Sequence, residues 1–392
     1  MILGGVLTPI YKFSQNIPNY LLTWEKSYNT NIGIDAAFLN NRIDVSMEYY
    51  NTKTKDVIWN KALPVINGAF SPDGGPKANY TTNLNMCETS NKGFELALNT
   101  RNIITKNFTW SSSVTFNHNK EKITKLSGGD SDVLNNGDTG YALALGEAIN
   151  SYYHYKLDGV WQKGEETDAA VFGAAPGDLK INIPNLVKES DGRFYKIDEE
   201  TGSAAVDENG NVIYYTSDNK YTPSDADYQI LGHNSPDWSL GFQNNFTWKD
   251  FDLSVFVYAR YGQMFAYDML TSYDPKGIRN FPTYFNYWTE NNPSNDFPAA
   301  NANKGLEQYT GYYALRYVDG SFIKIKNITL GYSLPKSILK SAGIEKCRFY
   351  ATITNPFVFA KSHLLKDYDP EMNGSLKYPL TKQFVFGVNV TF

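Results

Sequence analysis

The chain has 392 residues, a formal charge of −5 and two cysteines, Cys87 and Cys347. So modest a charge gives a nucleic-acid partner no electrostatic support, and two distant cysteines with no histidine beside them exclude zinc-type spacing. Hydrophobic residues make up 42% while aromatics reach 15%, with 29 Tyr and 23 Phe, a mixture that suits strands better than helices. No apolar run is long enough for a membrane-spanning helix. The opening MILGGVLTPIYKF lacks the charged start, apolar core and cleavage site of a signal peptide.

In chain order, a period of two recurs. In NTNIGIDAAFL, Ile32, Ile34, Ala36 and Phe38 share a face opposite Asn31, Gly33 and Asp35. Asn40-Asn41 follows, and RIDVSMEYY sets Ile43, Val45, Met47 and Tyr49 against Asp44, Ser46 and Glu48, which predicts a hairpin. KGFELALNT and NFTWSSSVTFNHN predict a second, with Phe94, Leu96 and Leu98 beside Phe108, Trp110, Val114 and Phe116. YYHYKLDGVW and GDLKINI read as two further strands, the second weaker. DWSLGFQNNFTW turns through Lys249-Asp250 into FDLSVFVYARY. FIKIKNITLGYSLP joins CRFYATITN through KSILKSAGIEK, a candidate helical turn. The terminal KQFVFGVNVTF puts Phe384, Phe386, Val388, Val390 and Phe392 on one face, with Val385 the apolar intruder on the other. About eleven strands are predicted in all.

Short turns near 40–41, 102–106, 249–250 and 335–345 interleave with long segments near 58–90, 121–150, 185–236, 263–319 and 356–381. Connections that long are uncommon in compact soluble domains, whereas short turns at one end and long loops at the other mark transmembrane β-barrels. Aromatics gather near strand ends, at Tyr49-Tyr50, Trp59, Trp110, Tyr152-Tyr153, Trp238, Trp248, Tyr258 and Tyr261, as interfacial girdles require. An odd strand count cannot close an ordinary bacterial barrel, and open edges in hydrocarbon leave unpaired backbone groups. The chain therefore reads as a piece of a larger barrel.

From LTWEKSYNTNIGIDAAFLNNRIDVSMEYYNTKTKDVI, through NKGFELALNT, FNHNKEKITKL, PGDLK and ILGHNSPDWSLGFQNNFTWKDFDLSVFVYAR, to DGSFIKIKNITLGYSLPKSIL, the sequence resembles SusC/RagA-type TonB-dependent outer-membrane transporters of Bacteroidetes. The last stretch, GIEKCRFYATITNPFVFAKSHLLKDYDPEMNG through YPLTKQFVFGVNVTF, is the most specific. The resemblance implies an all-β antiparallel up-and-down transmembrane β-barrel, with residues 1–392 as roughly the C-terminal half of a 22-stranded barrel. Plug, TonB-contacting box and first strands have no counterpart in the sequence. It also implies an outer-membrane location, nutrient uptake of glycans or oligopeptides, a SusD-like surface lipoprotein and the TonB complex as partners, and contact with outer-membrane lipid. The row Phe384, Phe386, Val388, Val390 and Phe392 would be the barrel-closing strand read by the assembly machinery. A passive porin-like channel and a soluble carbohydrate-binding β-protein are the alternatives.

Nothing catalytic stands out, so an enzyme is not expected, nor any cofactor or metal. His118, His154, His233 and His363 are dispersed, and no nucleophile-elbow, zincin or P-loop pattern occurs. DENGN at 207–211 has a faint calcium-loop look but reads more simply as a turn through Asn209-Gly210. YDPE at 368–371 reads as a Pro-fixed turn in which Asp369 bonds local backbone. In the long loops, Tyr284, Tyr287, Trp288, Tyr368 and Asp369 are candidate contacts to substrate or lid. A self-packed loop cap accounts for the same residues equally well.

Overall fold

A computed structural model describes residues 16–63, 80–127, 133–136, 141–272, 282–340 and 343–392, together with 2–3, 6–7 and 276. One sheet dominates. Its meander comprises β1 (Lys26–Phe38), β2 (Ile43–Ala62), β3 (Thr81–Ile104), β4 (Phe108–Leu126), β5 (Trp238–Trp248), β6 (Phe251–Tyr261), β7 (Phe322–Ser333), β8 (Lys346–Ala360) and β9 (Gln383–Thr391). Each pairs antiparallel with the next, and a short strand, Asn16–Ile17, lies parallel to the start of β3.

Register carries the alternation across the whole sheet. Ile34, Met47, Leu96, Phe116, Leu240, Ala259, Ile323 and Phe359 stand directly opposite one another in sequence. One residue along, Asp35, Ser46, Ala97, Thr115, Gly241, Tyr258, Lys324 and Val358 form the matching row of the other face. A slip of one residue anywhere would exchange the faces. Phe94 and Leu253 are half-buried and Phe386 is 81% exposed, so no sealed centre between stacked sheets gathers them. That removes the soluble-sandwich alternative.

The apolar face ends in aromatic rows. Toward the short turns, Phe108, Trp248, Phe251, Tyr332 and Phe349 lie opposite one another, with Trp248 stacked on Phe251 at 6.2 Å. Toward the long loops run Tyr49, Phe94, His118, Trp238 and Tyr261, the last two stacked at 5.6 Å. Ten residue steps separate Trp238 from Trp248. At ~3.4 Å per residue and a tilt of about 45°, they span roughly 24 Å, the height of an outer-membrane apolar band.

Several expectations change. YYHYKLDGVW and GDLKINI do form strands, but outside the wall. Ser151–His154 joins a small sheet with Gln229–His233, and Lys156–Val160 pairs only with Leu179–Asn182. Tyr50 and Tyr258 leave the girdle because each neighbours an outward residue and so faces inward. Trp59 packs on Cys87, Ile123 and Leu143, and Tyr152 and Tyr153 belong to the loop sheet. β2, β3 and β4 extend well into spans expected to be loop. Asp56 adopts φ 57° at a bulge between Thr54 and Val57, which breaks the visible period in TKTKDVIWN. The first turn occupies four residues rather than two, with Leu39, Asn40 and Asn41 all at positive φ. The short helix Lys336–Leu339 confirms the helical connection before β8.

Val257 lies mid-band on the apolar face, opposite Phe242 and Ile325. Val257→Arg is expected to destabilise the lipid-inserted protein by about 2–4 kcal/mol. Gln243→Arg, on the opposite face, is expected to cost far less. Urea unfolding in lipid vesicles checks the difference.

Candidate functional site

Inward rows are laced by side-chain hydrogen bonds between strands. Asn117 donates to Glu95 at 3.0 Å, Ser113 to Asn99 at 2.6 Å, and Tyr50 to Asn119 at 2.9 Å. Gln243 donates to Ser254 at 2.6 Å, and Arg348 clamps Asp252 through two nitrogens at 2.9 and 2.5 Å. Gly331 sits beneath that clamp, where a Cβ would lie 2.4 Å from the guanidinium. The paired groups make this face a hydrated, polar lining.

Over the loop end of the wall, residues 141–237, 262–272, 282–321 and 361–382 fold together into a cap. Its core contains Phe265, Leu270 and Leu365, with Phe285 stacked on Phe297 at 4.2 Å. Trp288 is buried there and donates to Gln162 at 2.9 Å. Tyr284 packs edge-on against Phe285, and Tyr368 lies 4.3 Å from the Tyr267 ring while donating to Ser375 O. Of the candidate aromatics, Tyr287 opens most to solvent, at 41%.

Asp369 belongs to a buried ionic knot. It caps the turn Pro370–Met372 by accepting from Glu371 N at 3.1 Å, as the Pro-fixed turn implies, and its other oxygen accepts from Lys324 on β7. Glu371 accepts from Lys324 at 2.9 Å and from Lys326 at 2.6 Å. Lys324 is inaccessible to solvent. A bulge between Ile325 and Asn327 lets both lysines serve this knot, and Pro356, which has no N–H for the ladder, sits on β8 where the register shifts. Burial pushes the Glu371 carboxyl up, yet the Lys326 and Lys324 hydrogen bonds outweigh it and hold the group below its ordinary value. Beyond the knot, Gly374 at φ +83° passes so close to Ala266 O that a Cβ would lie 2.1 Å away.

An aromatic tract runs through the cap. Tyr141 stacks on Tyr152 at 4.8 Å, Tyr152 meets Tyr317 at 5.0 Å, and His154 stacks on Tyr228 at 4.8 Å. Burial and then Arg316 lower His154 to about 4. Beside this tract lies a cavity of about 390 Å³ bounded by Tyr155, Leu157, Ile230, Leu315, Tyr317 and Asn295. Lys156 stands at its edge, exposed, with no ion pair among the described residues. Sequence reasoning missed Tyr155, Tyr317 and Lys324. The FIKIK alternation, which puts two lysines between outward isoleucines, was the available signal for the last.

The remaining sequence candidates are dispersed. Phe384, Phe386, Val388 and Val390 lie on the exposed strand β9, with Phe392 just beyond it. Asp207 accepts from Asn209 N and Asn211 N at 2.9 Å each, within a turn. His118 and His233 contact the carbonyls of Asp237 and Ser235, and His363 lies 2.9 Å from Asp296.

Removing one partner of the knot strands a buried charge. Lys324→Met is expected to destabilise the 361–382 loop by about 3–5 kcal/mol, and adding Asp369→Leu should restore much of it. Hydrogen exchange over that loop checks both. His154, neutral when folded and depressed from 6.5 to about 4, takes up its proton later than the unfolded chain does. Its share of cap stability is therefore intact above pH 6.5, declines as pH falls toward 4, and is constant below. His154→Gln is expected to flatten that slope in pH-dependent melting.

Comparison with known proteins follows the same lines. The family model for the TonB-dependent receptor-like β-barrel matches residues 6–174. TonB-dependent receptor P3 of Formosa agariphila is 28% identical over 393 residues, covering 95% of the chain and 34% of the relative. SusC of Bacteroides thetaiotaomicron, also a TonB-dependent receptor, is 28% identical over 384 residues, covering 95% and 32%. The chain thus spans about a third of the length of the curated relatives it matches. A solved structure of the RagAB peptide transporter shares the fold, with a TM-score of 0.67 and 24% identity over 94% of this chain and 36% of that one. Continuous register, a membrane-high apolar band and similarity along nearly its whole length make the chain a β-barrel segment of the bacterial outer membrane that resembles TonB-dependent receptors of the SusC/RagA type.

Proposed function

We propose that residues 1–392 serve as a barrel segment of an importer that takes oligomeric nutrients, glycans or oligopeptides, through its lumen. Energy would come through the TonB complex, and a SusD-like surface lipoprotein would close over the cap, with Tyr287 among the residues that would meet it. Polar rows line the path, the cap roofs it, and the chain acts in transport rather than catalysis. The β9 row from Phe384 to Phe392 would serve barrel assembly and closure.

The observation that carries this reading is the cavity within the cap, whose size is ordinary for a ligand site. Its walls favour an oligopeptide. Leu157, Ile230, Leu231, Leu315 and Leu364 supply aliphatic surface for apolar side chains, and Gln229, Asn295 and Asp296 supply amides and a carboxylate for a peptide backbone. That a similar fold occurs in a peptide transporter agrees with this choice.

Leu231→Asp is expected to lower uptake of apolar oligopeptides by about tenfold, the scale of one lost apolar contact in a pocket. Oligosaccharide uptake should be untouched. Loss of oligosaccharide uptake alone would reverse the substrate class, and no energy-dependent uptake of either by the wild type would remove the importer reading.

A further inference from the structure

On the lipid-facing side, the outward rows continue past the loop-end girdle. Beyond Tyr49, Phe94 and His118, the next outward row is Asn51, Lys92 and Lys120, and the one after is Lys53, Ser90 and Lys122. Lys92 and Lys120 are directly opposed, so their Cβ atoms lie about 5 Å apart, while Lys53 and Lys122 flank Lys92 diagonally at about 7–8 Å. All four are exposed.

Like charges directly opposed destabilise a sheet, and this chain is net acidic. Two nearby lysines are neutralised: Lys26 pairs with Asp56 at 3.0 Å and Lys125 with Glu88 at 3.6 Å. Among the described residues, Lys53, Lys92, Lys120 and Lys122 have no carboxylate partner, and no acidic residue stands in their two rows. A local rule is broken with no gain inside the protein, which points to an external counter-charge.

We propose that this patch binds a phosphate-bearing lipid headgroup of the outer leaflet. Position selects the ligand. The patch shares its face with the apolar band and begins one row above the girdle, where headgroups meet the protein. Lysine stems can lie along the apolar surface with their ammonium groups raised to that level. Several point charges converging within a few ångströms suit a compact dianion. A solute in the lumen meets the opposite face.

The test compares the full chain as extracted from outer membranes with a version carrying Lys53→Gln, Lys92→Gln, Lys120→Gln and Lys122→Gln, and with the four-arginine equivalent. Native mass spectrometry should show phosphorylated glycolipid retained by wild type and arginine forms, and at least about tenfold less by the glutamine form. In vesicle arms, lipid A with its phosphates should bind in preference to dephosphorylated lipid A and to phosphatidylglycerol, and millimolar inorganic phosphate should not displace it. Equal retention by the glutamine form, equal binding of dephosphorylated lipid A, or displacement by free phosphate would each overturn the proposal. Should the fourfold variant fail to insert, Lys92→Gln with Lys120→Gln, which relieves the opposed pair, carries the same comparison.

Discussion

The governing constraint is that a backbone crossing hydrocarbon must find every hydrogen bond within protein, because lipid offers none. Antiparallel pairing from β1 to β9 meets that demand between neighbours, and the same pairing fixes which side chains face outward. Register and sidedness are one property here. The bulges at Asp56 and Lys326 are placed accordingly: the first lies on the loop side of the outer girdle, and the second turns an extra residue inward, so neither puts a polar side chain into the apolar band. The edges follow the same logic. Nine alternating strands leave β1 and β9 running in the same direction, so antiparallel closure requires an odd number of further strands between them.

Inside the wall the problem is reversed. Polar groups have water available, yet many bond one another across strands, as with Asn117 and Glu95 or Arg348 and Asp252. Such bonds add little individually in a wet lumen. They do tie long side chains of neighbouring strands to one another along the inward face. Lys324 is the exception, since the descending 361–382 loop removes it from solvent. A buried lysine is tolerated there because two carboxylates arrive with the same short turn, Asp369 through its cap and Glu371 from the turn itself.

Strands were legible where side-chain contacts are local and the period is unbroken. The hairpins about Asn40-Asn41 and Lys249-Asp250, the β7–β8 connection and the terminal strand follow from alternation and turn chemistry alone. Sidedness failed where two aromatics are adjacent: Tyr49 and Tyr50 cannot both join a girdle, and the alternation Ile43, Val45, Met47, Tyr49 already puts Tyr50 on the face of Glu48. Strand length failed at Asp56, whose positive φ hides the period. The cap was illegible for a different reason. Its core joins Val160, Leu179, Phe285, Tyr312 and Leu365, which are far apart in sequence and set by no shared pattern. The strands at 151–160 carry a good period of two, yet pair only within the cap, because alternation reports a two-faced strand and not which sheet receives it.

The two parts of the cap are tied to the wall by different means. The 361–382 loop is held by the Lys324 knot, by Gln263 donating to Asn373 at 2.8 Å, and by the backbone contact at Gly374. Lifting it would leave a lysine and two carboxylates without their counter-charges, a step far costlier than breaking a neutral hydrogen bond. The sheet at 141–154 meets the segment entering β5 through neutral contacts, Asn150 to Ser235 and Asn234 to Tyr141, and meets Tyr317 by ring packing. The same side is also bound to β4 by backbone bonds of Ile123 with Gly146 and Glu147, and to the rest of the cap by the Lys304–Asp178 pair at 2.5 Å, so charge at one end and backbone pairing at the other fix the cap over the wall.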